Sequence, residues 1–243
     1  NVKPYIIDFS KYGVPQRRKR FILVGIMGGN AENFEALLEE LKTDYLNNKG
    51  IESFVSLQDA ISDLFQQNGE VPTPDRKGFN SGIYGDINSN YQRMMRIDID
   101  SKNIPDSHSF AHHNSFTQKV FANLIACYPT KGKRITNKER EQWNIKKRGL
   151  TLLNKDDVSP TLTSHPDDYI HYAEPRILTV REYARIQSFP DWYQFKMKYT
   201  TGGDMRKKEV PRYTQIGNAI PPLFAELAGR VLIEILKDGT DAI

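Results

Sequence analysis

The chain has 243 residues, of which 38% are hydrophobic, 26% charged and 11% aromatic, and its formal net charge is +4. This is enough apolar side chain for a real core and excludes a disordered chain, no run approaches the ~20 apolar residues of a membrane helix, and residues 1–10 do not read as a secretory leader. The one cysteine, Cys127, excludes a disulfide framework and a multi-cysteine zinc site and fits a reducing, cytoplasmic setting.

Val2 to Phe9 reads as a strand and Arg20 to Ile26 as a nearly continuous apolar strand. The loop between them is too short for a parallel crossover, so the two are expected to pair antiparallel. A buried strand so close to the first residue, with no initiator Met, leads us to expect more chain upstream. Phe34, Leu37, Leu38, Leu41 and Tyr45 recur at helical spacing, with Asn30 placed to cap. A shorter helix follows Ser56 and carries Leu57, Ile61, Leu64 and Phe65 on one face. Residues 66–114 lose periodicity and collect Gly, Pro, Asn and Ser; only Tyr91 to Ile99 reads as ordered. Val120, Phe121, Leu124, Ile125 and Tyr128 predict another helix, which buries Cys127 as an inert thiol. Pro160 to Thr163 and Tyr169 to Tyr172 read as extended. Thr179 and Glu182 form a T-x-x-E capping box that starts a helix through Ser188, closed by Pro190. The last helix starts at Pro221 and Pro222 and lines up Leu223, Leu227, Val231 and Ile235 as far as Gly239.

Charge is unevenly spread. Residues 11–20 carry Lys11, Arg17, Arg18, Lys19 and Arg20 without an acid, and residues 131–148 carry eight Lys or Arg against Glu139 and Glu141. Residues 32–75 hold ten acids against Lys42 and Lys49. This pattern suits a polyanion-facing side and a solvated opposite side, although a basic run by itself is more often a solvated face.

Two weak motifs are set aside. Leu23 to Asn33 (LVGIMGGNAEN) lacks the G-x-G-x-x-G spacing and reads as a strand-to-helix turn. His108, His112 and His113 have no cysteine pair beside them and read as a surface or DNA-contacting loop, so no metal is expected.

Three segments are more specific. In Tyr12 to Arg20 (YGVPQRRKR), alternation puts Gln16, Arg18 and Arg20 on one face, suited to phosphate and a polar base edge or to a solvated edge strand. In Pro175 to Pro190 (PRILTVREYARIQSFP), Arg181 and Arg185 share one face of an amphipathic helix. In Gln215 to Pro222 (QIGNAIPP), the small Gly217 and Ala219 permit close approach of a ligand, and Asn218 offers a donor and an acceptor; a plain loop before a Pro-started helix is the blander reading.

In this order the three segments closely resemble motifs VIII, IX and X of bacterial DNA cytosine-C5 methyltransferases, and Thr161-Leu162 in SPTLT resembles the Thr-Leu pair of that family's target-recognition region. The resemblance implies an α/β fold: the C-terminal portion of a mixed, mostly parallel methyltransferase sheet domain plus a small irregular target-recognition domain. Residues 1–30 and 205–243 would belong to the catalytic domain, 31–104 would be connecting helices and loops, 105–175 the recognition domain, and 176–204 the motif IX brace and linker. The family's glycine-rich cofactor motif, Pro-Cys nucleophile motif and Glu-Asn-Val motif precede motif VIII and are not in this chain. The expectation is therefore a C-terminal fragment, inactive alone, whose N-terminal half lies in the same parent chain or in a separate subunit.

The resemblance further implies chemistry on duplex DNA. An upstream thiolate adds to C6 of a flipped-out cytosine, and C5 takes the methyl of S-adenosylmethionine. Arg20 would contact the ring oxygen, with Arg18 and Gln16 supporting the site. Asn218 and Ala219 would line the cofactor pocket, and Thr161, Leu162 and the basic block would face DNA. The length and basic charge of residues 196–212 exceed the family's minimal link between motifs IX and X. A non-catalytic DNA-binding module, a complementing subunit of a split enzyme and a tRNA methyltransferase of the same fold are the alternatives.

Overall fold

The computed structural model describes the chain except residues 28, 202–204, 206, 207 and 241–243, and leaves aside the side chains of 238–240. Strand β1 (Val2–Asp8) pairs antiparallel with β2 (Lys19–Gly25), in the register Tyr5 to Ile22 and Ile6 to Phe21. Directly opposed residues share a face, so Tyr5, Ile7, Ile22, Val24 and Arg20 look one way, and Val2, Pro4, Ile6, Phe21, Leu23 and Lys19 the other. The first face is covered by α1 (Phe34–Lys49) and α8 (Pro222–Thr240), through Phe34, Leu38 and Tyr45 on one helix and Phe224, Leu227, Val231 and Ile235 on the other. The Tyr45 hydroxyl donates to the Leu223 carbonyl at 2.9 Å and joins the two helices. The second face is bare: Ile6 is 74% exposed and Phe21 68%.

Gly13 turns the chain between the strands at φ +74°, where a side chain is strained, and a Cβ there would press on Ile51, Leu223 and Leu46 at about 3.0–3.1 Å. Asn30 does cap, but it caps the 3₁₀ turn Ala31–Asn33 that leads into α1, by accepting from the Glu32 N–H. The Ser56–Asp59 capping box starts α2 (Leu57–Ile61), which tightens into a 3₁₀ turn, Ser62–Leu64. The irregular stretch holds the hairpin β3 (Glu70–Pro72) and β4 (Asn80–Gly82) and then α3 (Asn90–Met95).

A second, smaller core is built from Phe121, Leu124 and Tyr128 at α4 (Ser115–Cys127), from Ile135 and Ile145 flanking α5 (Asn137–Gln142), and from the parallel pair β5 (Thr151–Leu152) and β6 (Tyr169–Ile170). Helix α6 (Val180–Ile186) belongs to the first core through Val180, Tyr183, Ala184 and Ile186, and is followed by α7 (Arg212–Asn218).

Several expectations need correction. Cys127 is exposed, because six residues past Phe121 carries it about 120° around the helix from Phe121, off the side where Phe121 and Tyr128 meet. The stretch before Asn218 is helical rather than loop, begun at Pro211 without a side-chain cap. The α6 box forms as read, with Thr179 accepting from the Glu182 N–H, but the helix is buried on every side instead of amphipathic. Among the described residues the strands form three two-stranded sheets, β1–β2 and β3–β4 antiparallel and β5–β6 parallel. Residues 105–114 hold a fully buried His108 rather than a wholly exposed loop.

That histidine gives a pH prediction. His108 Nε2 faces the Leu64 carbonyl at 2.9 Å, so it must donate, and Nδ1 accepts from Thr179 Oγ1 at 2.8 Å. His171 Nδ1 accepts from the Ala173 and Glu174 N–H groups, each at 3.1 Å, so the proton is on Nε2. Burial holds both rings neutral, His108 down to about 4 and His171 to about 3, with Arg176 opposing any charge on His171. The unfolded chain binds protons on these histidines from about pH 6.5 downward and the folded one does not, so stability is full above pH 6.5 and lost as pH falls toward 4. The expected cost at pH 5 is about 2 kcal/mol per histidine. The urea midpoint measured from pH 7.5 to 5 should fall steadily; a flat profile contradicts neutral burial.

Candidate active-site and DNA-facing region

The loop before β2 does not stand free. Arg17 N–H donates to the Ser159 carbonyl at 2.8 Å and Ser159 N–H to the Pro15 carbonyl at 2.9 Å, a short parallel bridge between YGVPQRRKR and SPTLT. Thr161 Oγ1 donates to the Arg17 carbonyl at 2.6 Å, and the Leu162 N–H donates to Gln16 Oε1 at 3.0 Å. Gln16 is fully buried; its Nε2 donates to Gln187 Oε1, and Gln187 Nε2 donates to the Ala219 carbonyl at 2.6 Å. Residues 12–20, 159–162, 187 and 217–219 therefore meet at one place.

Arg18 lies at the centre. Its Nη1 donates to the Leu162 carbonyl at 3.2 Å and its Nη2 to the Gly217 carbonyl at 2.6 Å, while Nε is buried without a partner. Every acceptor it has is neutral. Burial, with the repulsion of Arg20 next, brings its guanidinium down to about 10. Arg20 is half-buried, and among the described residues its one side-chain hydrogen bond goes to the Lys19 carbonyl at 2.8 Å. Neither cation has an acid partner among the described residues, whereas Arg17 is neutralised by both oxygens of Asp157. Two adjacent guanidiniums, one out of water and both unopposed, favour negative charge on whatever meets them.

Asn218 ends α7 with its side chain exposed, rather than opening α8. Gly217 is small for a reason: a Cβ there would stand 2.9 Å from the Thr163 carbonyl oxygen and 3.3 Å from the Ser164 nitrogen. The C-terminal end of α7, residues 217–219, thus lies directly on the backbone that follows Leu162. Here Ala219 is small, the Asn218 amide is open to solvent, and the carbonyls of 217 and 219 are held by Arg18 and Gln187.

In the basic stretch 131–148, Lys131, Lys133, Arg134, Lys138, Lys146 and Arg148 are exposed, whereas Arg140 is spent on the carbonyls of Lys146 and Lys147. Lys147 pairs with Asp168 at 3.2 Å. Lys196 and Lys208 are exposed, Lys198 pairs with Glu209 at 3.0 Å, and Arg206 and Lys207 lie outside the described residues, as does Gly28 of the LVGIMGG turn. His112 stacks on Phe79 and His113 accepts from the Ile177 N–H. Among the described residues no three His, Cys, Asp or Glu groups are gathered as metal ligands, and no helix is long and apolar enough to cross a membrane.

The sequence reading missed what motif IX holds. Arg185 spends every N–H on the buried carboxylates of Asp63 and Asp191 and on the Ala60 carbonyl. Arg176 grips Glu182 and Glu174, and Arg181 the Asp106 carboxylate. Burial pushes the Glu182 carboxyl up, but Arg176 outweighs it and holds it down to about 2. The signal available was the density of Arg in one short helix, which also fits a solvated face.

The type II methyltransferase M.Bpa9945I of Bacillus paralicheniformis is 29% identical over 96% of this chain and 51% of its own length, and M.DdeI of Desulfomicrobium norvegicum is 31% identical over 93% and 53%. M.AquIB of Picosynechococcus sp. is 41% identical over 91 residues, 37% of this chain and 66% of that protein. The chain spans about half the length of the first two relatives. A solved structure from E. coli, described as a DNA modification methyltransferase encoded within a prophage, shares the fold at a TM-score of 0.63 and 20% identity, over 98% of this chain and 61% of that one. The model of the C-5 cytosine-specific DNA methylases matches residues 1–234, and the chain belongs to that DNA methylase family.

Proposed function

We propose that this chain is the C-terminal half of a DNA cytosine-C5 methyltransferase. It recognises duplex DNA and forms one wall of an S-adenosylmethionine pocket, and the nucleophilic cysteine comes from an N-terminal half, in the same parent chain or in a separate subunit. The observation that carries the reading is the unopposed Arg18–Arg20 pair at the junction of the recognition segment and the end of α7 at 217–219. Arg20, with donors to spare at the rim of the site, holds a hydrogen bond to the oxygen of the cytosine ring and offsets charge that builds on it. Arg18 and Gln16 fix the surrounding backbone. S-adenosylmethionine supplies the electrophilic methyl when bound; Asn218 and Ala219 would hold its methionine end. The base must leave the stack to be reached, and Thr161 and the basic stretch lie against the duplex that surrounds it, while Leu162, expected to face DNA, is buried in the core and anchors that segment from beneath.

The bare face of the β1–β2 sheet supports a missing half. Val2, Ile6, Phe21 and Leu23 together expose an apolar surface, and both outer strand edges lack a ladder partner among the described residues. The second core, between Phe121 and Ile177, supports a recognition domain at 105–175, with 1–30 and 205–243 in the catalytic domain, 31–104 connecting and 176–204 bracing them. The type II names of the relatives support a restriction–modification role in a bacterial cytoplasm.

Binding of this chain to duplex DNA tests the recognition half of the reading. Each neutralised phosphate releases counterions, so log affinity should fall with log salt at a slope of about −0.9 per contact. Flat salt dependence, or no binding at low salt, contradicts a DNA-facing recognition region.

A further inference from the structure

We infer that Gln187 is a positioning residue, the middle link of a one-way hydrogen-bond chain from the recognition segment at Leu162 to the cofactor-facing loop at Ala219. What the two ends touch rests on the function proposed above; the chain itself rests on geometry. A backbone N–H can only donate and a carbonyl can only accept. The Leu162 N–H therefore fixes Gln16 Oε1 toward itself, at 3.0 Å. Gln16 Nε2 is then turned to Gln187 Oε1, and Gln187 Nε2 to the Ala219 carbonyl, at 2.6 Å. Both glutamines are fully buried. Flipping either amide would set like groups against each other at both of its contacts, so the chain has one direction, and its aligned dipoles strengthen each link.

Two neighbours reinforce the same spacing. Arg18 ties the Leu162 and Gly217 carbonyls together, and Ser188 Oγ accepts from the Leu223 N–H. Residues 187 and 188 thus hold the loop from 219 to 223 at both ends. Gln187 touches no reacting atom in this scheme. It sets the distance between the segment that meets DNA and the loop that meets S-adenosylmethionine, so that ordering one orders the other.

The test has two readouts. In the purified chain, Gln187→Leu removes the acceptor of Gln16 without touching Leu162, and the Leu162 amide should exchange with solvent about 5- to 10-fold faster, the net worth of one buried hydrogen bond. The Ile135 amide, in the other core, should be unchanged. In a methyltransferase restored with an N-terminal half, the same variant should raise KM for both DNA and S-adenosylmethionine by about the same factor. Should Gln187→Leu not fold, Gln187→Glu replaces it. This side chain accepts from Gln16 at any pH but donates to Ala219 only when protonated, so Leu162 exchange should match the parent while KM for S-adenosylmethionine rises with pH. Leu162 exchange unmoved by Gln187→Leu, or a pH-independent Gln187→Glu, overturns the chain. Faster exchange with both KM values unchanged overturns the positioning role. A parent enzyme that transfers no methyl when both halves are present sinks the functional reading instead, and the exchange result still decides whether the link exists.

Discussion

Replacing Arg185 with leucine is expected to destabilise the fold by at least about 5 kcal/mol, enough to leave much of the protein unfolded at room temperature. The guanidinium binds Asp191 through Nε and Nη2 at 2.6 and 2.7 Å and Asp63 through Nη1 and Nη2 at 3.1 Å, with all three side chains fully buried. Burial pushes the Asp191 carboxyl up, and Arg185 brings it below the usual carboxylate range. Leucine would leave two buried carboxylates short of donors: Asp63 would keep only Arg96 at 3.3 Å, and Asp191 the Tyr84 hydroxyl at 2.7 Å with Arg181 farther off at 3.7 Å, among the described residues. Removing one partner of a buried pair commonly costs about 3–5 kcal/mol, and here two buried charges each lose their best-placed partner. The control is Arg17→Leu, which breaks a largely exposed pair with Asp157 and should cost no more than about 1 kcal/mol. Urea midpoints of the two variants should differ widely; equal midpoints would mean that the buried network contributes little.

The second large effect lies in catalysis. In the complete enzyme, Arg20→Ala should slow the chemical step by about 30- to 1,000-fold, or roughly 2–4 kcal/mol, because a charged hydrogen bond to the ring oxygen is strongest where charge has built up. Lys19→Ala should do little: Lys19 pairs opposite Asp8 on the outward face of the sheet, whereas Arg20 pairs opposite Ile7 on the covered one. DNA affinity should change far less than rate for either variant. Single-turnover methylation beside equilibrium binding separates the two, and equal small effects would return Arg20 to the status of an edge-strand cation.

What was legible in the sequence was local. The antiparallel opening pair, the α1 stripe, the Thr179–Glu182 box and the face of α8 each follow from residues a few positions apart, and each formed. Gln16, Arg18, Leu162 and Ala219 entered as candidates through resemblance, and the contacts Leu162–Gln16, Arg18–Gly217 and Gln187–Ala219 that bring them together span 32 to 199 residues, beyond any periodicity. Arg185 was read as half of an exposed stripe because its partner Asp63 lies 122 residues away. The helix α7 escaped because it has no side-chain cap and contains Gly217, which is there for close contact with Thr163 at the expense of helix propensity. β5 escaped because a two-residue strand has no alternation to detect. Gln187 gave no signal at all, since a buried amide and a solvated one look alike in a sequence.

The central claim is that this chain is one half of a cytosine-C5 methyltransferase, and methyl transfer from tritiated S-adenosylmethionine to cytosine-containing duplex DNA tests it most directly. The chain alone should transfer none, and the chain combined with an N-terminal half carrying the Pro-Cys motif should label C5 of cytosine. Label incorporated by the chain alone, or none incorporated by a stable complex of the two halves, would contradict the account.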